Sequence, residues 1–280
     1  MAGAIYGTPS TASDPGAAKA TGVVFVHGNP GSTHHWDRFT GPAAAAVQGQ
    51  ALAPTLPGFA GAPVPPGFAF TVEAYAAWLG QQIDAAGLGR VHLVMHDFGG
   101  AFGLVWAAGH PERVASLTLI DTGVLVDYRW HALARIWRTP VLGELFNAMT
   151  TRAAFGLLLR RGQPRPLPTA FVDQLYGELG PSTRATVLRL YRNTDESELA
   201  RLADHFAAPD LPTLVLWGGH DAYLPVAQAS RQREVFSAAE VVVLPDSGHW
   251  PHGDDPDAVE AHLVPFLRKA AACATQTART

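Results

Sequence analysis

Three short stretches carry the side chains able to do covalent chemistry: His96-Asp97-Phe98-Gly99-Gly100, Trp217-Gly218-Gly219-His220-Asp221 and Gly248-His249-Trp250. Asp97 stands between an apolar β-type run ending at His96 and a helical pattern from Phe98 to Gly109. Strand, sharp turn and helix in that order form an elbow that projects a nucleophile from the top of a sheet. The usual residue there is Ser or Cys. A carboxylate is already ionised at neutral pH, needs no base to attack, and suits displacement at a saturated carbon better than acyl transfer. The competing reading of Asp97 is a plain helix N-cap. Asp221 and His249 each follow a predicted strand, and the order Asp97, Asp221, His249 is nucleophile, acid, base. Ligands of open α/β sheets bind beyond the carboxyl ends of strands, where all three fall. Asp121, at the end of another strand, is the reserve for the acid role.

The elements that must position these groups alternate. Val23–Val26 reads as a short buried strand running into the turn His27-Gly28-Asn29-Pro30-Gly31-Ser32. A helical stretch from about Thr33 to Val47, a strand from Gln50 to Pro54, and a helix from Val72 to Ala86 capped by Thr71 follow. After the elbow come the strand Val114–Ile120 and then a change of pattern. From Asp121 to Pro209 helical periodicity dominates, over Trp130–Trp137, Val141–Met149, Arg152–Leu159, Ala170–Leu179, Ser182–Tyr191 and Glu196–Phe206. Strands resume at Thr213–Leu216 and Val241–Leu244, with helices at Val226–Val235 and Asp257–Ala271 and a frayed tail. The fold class is therefore α/β, a mostly parallel central sheet flanked by helices, with an all-helical insertion between two core strands. The boundaries are 1–121 and 209–280 for the core and 122–208 for the insertion, with 1–22 a partly ordered lead-in.

Composition sets the remaining bounds. The 280 residues are 48% hydrophobic and 16% charged, which supplies a core and argues against disorder. A net charge of −4 implies no attraction to nucleic acid or to an anionic membrane. Cys273 is the only cysteine, so no intramolecular disulfide and no cysteine metal site can form, and a reducing, cytoplasmic setting is expected. No run reaches transmembrane length, and Met1–Gly22 lacks the charged start and apolar centre of a secretory signal. The expected partner is a small apolar molecule; the expected assembly is a monomer or homodimer, with no cofactor and no metal.

On His27-Gly28-Asn29-Pro30, His96-Asp97-Phe98-Gly99-Gly100, Trp217-Gly218-Gly219-His220-Asp221 and Gly248-His249-Trp250, the chain resembles the α/β-hydrolase superfamily from Val23 to Leu267. Within it, the chain resembles the branch with aspartate nucleophiles, the epoxide hydrolases and the haloalkane and haloacetate dehalogenases. The helical insertion is similar to that branch's cap. The family usually has one or two strands before the His27 strand, so an abbreviated sheet edge is expected. The resemblance implies that Asp97 forms an alkyl-enzyme ester. His249, oriented by Asp221, then activates the water that hydrolyses it. The backbone N–H groups of Asn29 and Phe98 would hold the oxyanion.

Epoxide and halide chemistry differ in the leaving atom: an opening epoxide wants a proton, a halide wants N–H donors. The segment Ala185–Asn193 is similar to the cap segment that carries a donor tyrosine in epoxide hydrolases, which nominates Tyr191. Trp137 stands where those enzymes often have a second tyrosine; Tyr128 and Tyr176 are other candidates, each read first as a structural residue. For the halide, Asn29 is the ligand the resemblance implies, but Phe98 after the nucleophile has no side-chain N–H. Trp130 or Trp137 could replace it. Epoxide hydrolysis to a vicinal diol is favoured, with halide release the alternative. A ligand-binding protein on a retained scaffold is a third reading, disfavoured by the complete set of nucleophile, acid and base. Trp130, Leu133, Trp137, Phe146, Phe155 and Tyr191 are the expected pocket walls. His34 and His35 are expected at the surface, and His96 as a packed or backbone-bonded residue.

Overall fold

In a computed structural model that describes residues 4–6, 20–160, 163–206 and 211–277, strands β1 (Ala4–Tyr6), β2 (Ala20–Val26), β3 (Gln50–Ala53), β4 (Leu88–His96), β5 (Val114–Ile120), β6 (Thr213–Gly218) and β7 (Glu240–Leu244) form one sheet. Its order is β1-β3-β2-β4-β5-β6-β7. Every neighbouring pair is parallel except β1 with β3. Along β2 the side chains alternate between two separate cores, Val24 and Val26 in one, Val23 and Phe25 in the other. That is the period of two expected of a strand covered on both faces.

The covering helices are α1 (Asp37–Val47), α2 (Val72–Ala85) and α3 (Phe98–Gly109) in the first half of the chain. Thr71 caps α2 by accepting the Ala74 N–H at 3.2 Å. Tyr75, Leu79 and Ile83 of α2 and Phe102 of α3 fill one core, and Phe39 of α1 helps to fill the other. Between β5 and β6 the described chain is helical: α4 (Ala132–Arg138), α5 (Leu142–Met149), α6 (Arg152–Leu159), α7 (Thr169–Glu178), α8 (Pro181–Asn193), α9 (Glu196–Arg201) and a 3-10 turn at Leu202–His205. The chain closes with α10 (Ala227–Val235), the short α11 (Pro251–Asp254) and α12 (Pro256–Thr277), whose Val259, Leu263 and Leu267 pack beside α1. Among the described residues, no helix is long and apolar enough to cross a membrane.

The elements differ from the sequence reading mainly at the ends. A three-residue edge strand forms at Ala4–Tyr6, inside the expected lead-in, and β2 begins at Ala20 rather than Val23. Residues 1–3 and 7–19 of that lead-in lie outside the described chain. The helix expected over Glu196–Phe206 tightens to 3-10 geometry after Arg201, and the C-terminal helix runs on to Thr277.

The helical layer is tied to the sheet layer at defined points. Ser182 and Thr183 of α8 bond the Gly58 carbonyl (3.1 Å) and the Ala60 N–H (3.0 Å), and Asn193 donates to the Ala69 carbonyl at 3.0 Å. Gly58, at φ +83°, presses so close to Thr186 that a Cβ there would collide with its side chain. Gln232 of α10 is buried and bonds both the N–H and the carbonyl of Val124 (2.9 and 3.0 Å), fixing the chain as it leaves β5.

Candidate active site

Asp97 sits where β4 stops and α3 starts, with φ 48° and ψ −127°. Such a backbone costs a residue with a Cβ about 1–3 kcal/mol and persists only where its surroundings hold it. Two contacts do so here. Thr122 donates its hydroxyl to the Asp97 carbonyl at 2.7 Å. Gly99 lies so close to the Val26 and His27 carbonyl oxygens that a Cβ would fall well inside 3.0 Å of both. The carboxylate makes no capping bond to the second or third residue of α3, so the N-cap reading does not describe this residue.

The two oxygens of Asp97 have different surroundings. Oδ2 accepts the Asn29 N–H at 2.7 Å, and the Phe98 N–H also bonds the carboxylate. Those are the two backbone donors expected of an oxyanion site. Oδ1 faces Nε2 of His249 across 3.9 Å, beyond hydrogen-bond length. Burial raises the carboxyl pKa above its ordinary value, while the His249 charge and the two N–H groups oppose the shift.

His249 follows β7 and is 3% exposed. Its Nδ1 lies 2.7 Å from Asp221 Oδ2. Asp221 Oδ1 accepts the N–H groups of Tyr223 (2.7 Å) and Leu224 (2.9 Å), which fixes the carboxylate in the turn after β6. Burial disfavours charge on both partners, yet their mutual attraction prevails: the His249 pKa is raised and that of Asp221 lowered. With Asp221 ionised, Nδ1 donates and the Nε2 lone pair points toward Asp97. His96 is backbone-bonded, as its sequence context suggested, through Nε2 to the His249 carbonyl at 2.7 Å.

Asp97, Asn29, Phe98 and His249 open onto a cavity of about 1010 Å³, mouth included. Trp130, Leu133, Trp137, Phe146, Phe155 and Tyr191 all line it, as the sequence led us to expect. Its roof is apolar on both sides: Phe146 of α5 and Leu158 of α6 face the cavity, while Leu142, Leu145, Met149 and Leu157 stay exposed outside. Tyr191 is 3% exposed and wedged against Phe98, Trp137 and Trp130 at centroid distances of 4.9, 4.9 and 5.3 Å. Its hydroxyl faces the Asn29 amide, and burial, followed by the Asp97 charge, raises its pKa well above that of a free tyrosine. The Asn29 amide atoms and Trp130 Nε1 are buried without a hydrogen bond of good geometry.

Other expectations are corrected. Trp137 gives its indole N–H to Asn147 Oδ1 at 3.0 Å, so it meets the cavity as a ring wall and not as a leaving-group donor. Tyr176 is absent from the cavity lining, and its hydroxyl bonds the Thr150 carbonyl at 3.5 Å. His35 is 5% exposed, not a surface residue. Its Nε2 donates to Glu178 Oε2 at 3.1 Å, and Ser32 Oγ donates to Oε1 at 2.5 Å. This cluster joins α7 to the chain just after the Asn29 turn. Nothing in the local pattern of α7 distinguishes Glu178 from its solvent-facing carboxylate Asp173, so only the tertiary contact identifies it.

Asp121, Asp221 and His249 offer ligand atoms within 4.8 Å of one another. The donor set does not suit a metal. Zinc at about 2.1 Å from both His249 Nδ1 and Asp221 Oδ2 would force an angle of about 80° between them, far from tetrahedral. A 2.7 Å separation is that of a shared proton.

Comparison with known proteins agrees with this architecture. The family model of the alpha/beta hydrolase fold matches residues 22–256. The chain therefore belongs to the α/β-hydrolase fold family. It is 27% identical, over 91% of its length, to the dihydrolipoyllysine-residue acetyltransferase component of the acetoin cleaving system of Pseudomonas putida, and spans 65% of that relative. It is also 27% identical to the cis-3-alkyl-4-alkyloxetan-2-one decarboxylase of Shewanella oneidensis, covering 91% of this chain and 84% of that one. Epoxide hydrolase A of Mycobacterium thermoresistibile superimposes with a TM-score of 0.72 at 21% identity, over 92% and 93% of the two chains, which establishes a common fold.

Proposed function

We propose that the protein hydrolyses small apolar electrophiles through an ester on Asp97, and that its preferred substrates are epoxides, opened to vicinal diols. Oδ1, which faces His249 and not the Asn29 N–H, attacks the saturated carbon and forms the ester. Tyr191 gives its proton to the oxygen released from the ring. The single observation that carries this preference is the Tyr191 hydroxyl, buried in the cavity wall beside Asn29 and close enough to Asp97 to feel its charge. A raised phenol pKa keeps the proton in place until a strongly basic alkoxide develops. His249 Nε2 then takes a proton from water as that water adds to the Asp97 carbonyl carbon. Charge gathers on Oδ2, already bonded to the Asn29 N–H, with the Phe98 N–H also acting on the same carboxyl group. The tetrahedral species collapses as protonated His249 gives its proton to the departing Oδ1, which leaves as the alcohol oxygen; the water oxygen stays in the carboxylate, and the second water proton restores the Tyr191 hydroxyl. The Shewanella relative, named for a strained four-membered oxygen ring, supports the preference for strained oxygen rings.

Halide release is a second reading with its own support. Asn29 Nδ2 and Trp130 Nε1 are buried, unpaired N–H donors on the same cavity, and N–H groups suit an anion that needs no proton. The test is turnover of aryl and alkyl epoxides, alkyl oxetan-2-ones, haloalkanes and haloacetates by wild type, Asp97→Ala and Tyr191→Phe. Diol formation that is lost in Asp97→Ala and reduced about 10²-fold or more in Tyr191→Phe is expected. Halide release that survives Tyr191→Phe would transfer the assignment to Asn29 and Trp130. With an active substrate, His249→Gln should accumulate the ester, seen as an intact-mass adduct. Turnover persisting in Asp97→Ala would refute both readings.

A further inference from the structure

Asp121 is a buried carboxyl group that the chemistry above leaves without a task. It directly follows β5 with no exposed surface and, at φ 44°, holds a positive φ that few residues with a Cβ adopt. Oδ1 accepts the Gly218 N–H at 2.9 Å. Oδ2 meets no donor, although the side chain lies within hydrogen-bonding reach of Asp221. Oxygens of Asp121 and Asp221 and a ring nitrogen of His249 all fall within 4.8 Å of one another.

Two buried carboxylates this close repel each other, so a single proton held between them is favoured over two negative charges. The bonding pattern decides which of them takes the proton. Asp221 accepts two backbone N–H groups and the His249 Nδ1–H, three donors that favour its charge. Asp121 accepts one. Asp254 of α11 adds a further negative charge that also favours the proton on Asp121, and the neighbouring His249 ring opposes it only when protonated. Burial and Asp221 accordingly push the Asp121 pKa well above the ordinary carboxyl range.

We propose that Asp121 is a positioning residue whose protonated carboxyl group donates a hydrogen bond to Asp221, making the acid of this site a two-carboxyl unit that shares one proton and one negative charge. A consequence follows for the loss of Asp221. Replacing its carboxylate with a neutral amide removes the nearest charge opposing ionisation of Asp121. Asp121 then loses its proton to solvent and supplies the negative charge beside His249 Nδ1. The unit as a whole, and not Asp221 alone, keeps the base in its working tautomer. The inference rests on the reading of His249 as the base, but its first two tests need no substrate and so can fail separately from that reading.

Infrared spectra of the full-length protein should contain the C=O stretch of a buried protonated carboxyl group, shifted by deuterium and lost in Asp121→Asn. Proton NMR should show the low-field His249 Nδ1–H resonance in wild type and in Asp221→Asn, but not in the double variant Asp121→Asn/Asp221→Asn. The His249 titration midpoint should stay raised in Asp221→Asn and fall in the double variant. Where a substrate is in hand, a base deprived of its orienting carboxylate loses about 10⁴-fold in rate. Asp221→Asn should remain at least about tenfold above the double variant. If the double variant does not fold, Asp221→Ala supplies the same NMR comparison against wild type. Absence of a carboxyl band assignable to Asp121 would overturn the proposal, as would an Asp221→Asn protein that has lost the low-field proton and titrates like a free histidine.

Discussion

Replacing Glu178 with Gln tests how the helical layer is held over the site. The carboxylate is only 9% exposed and accepts three hydrogen bonds, from Ser32 (2.5 Å), His35 (3.1 Å) and Gln174 (3.2 Å). Gln keeps the shape but turns one acceptor into an N–H that must face Ser32 or His35, both donors in the native arrangement. Losing one charge-assisted bond and leaving one buried donor unpaired should cost about 2–4 kcal/mol. Glu178→Ala, which orphans both groups, should cost about 3–5 kcal/mol. Urea denaturation read by tryptophan fluorescence measures either loss. The pH dependence provides a sharper check. Burial raises the Glu178 pKa, but the His35 and Ser32 bonds outweigh it and hold the group below the ordinary glutamate value. A carboxyl group with a depressed folded-state pKa contributes its stability above the unfolded value, here 4.5, and loses it as pH falls through the folded value. The gap between wild type and Glu178→Gln should be full at pH 7 and close progressively below about 4.5. A gap near zero at pH 7, or one that does not change on acidification, would refute this account of the cluster.

Gly99→Ala places a Cβ against two backbone carbonyl oxygens, of Val26 and His27, so it should cost more than about 3 kcal/mol or prevent soluble expression, read by the same unfolding assay. Gln232→Leu leaves the Val124 N–H and carbonyl unpaired in a buried position; each orphaned group should cost about 1–3 kcal/mol in the unfolding free energy. On the proposed mechanism, ester hydrolysis requires neutral His249, whose pKa Asp221 and, before the ester forms, Asp97 raise above 6.5; with Asp221 still charged in the ester, the acid limb of kcat against pH should have its midpoint above 6.5, less far than in the free enzyme. A midpoint below it would show that another group controls the step.

The parts of the site that were legible in the sequence are those in which the backbone itself does the work. A turn at Asp97 needs small residues after it, a strand before it and a helix beyond it, and each of those leaves a local trace. Asp221 and His249 were legible for the same reason, as polar residues directly after apolar runs. What escaped depends on contacts between distant segments. His35 and Glu178 lie 143 positions apart, and neither departs from its local pattern. The indole N–H of Trp137 is diverted by Asn147, one helix away, which only the packing of α4 against α5 reveals. The β1 strand, three residues long, is too short for periodicity to register.

The bonds between the helical layer and the sheet fall on α7 and α8, through Glu178, Ser182, Thr183 and Asn193. The roof made by α5 and α6 shows apolar side chains to both the cavity and the solvent. The layer is thus bolted along one side and only greased along the other. Such a build divides the labour of adaptation. Side chains on α5 and α6 can be exchanged to admit larger or smaller guests, at a cost confined to local packing. The same exchange on α7 would disturb the Ser32–His35 segment beside Asn29, and on α8 it would disturb the Gly58–Ala69 loop. Selection for a new substrate, in nature or at the bench, has its open ground on the greased side.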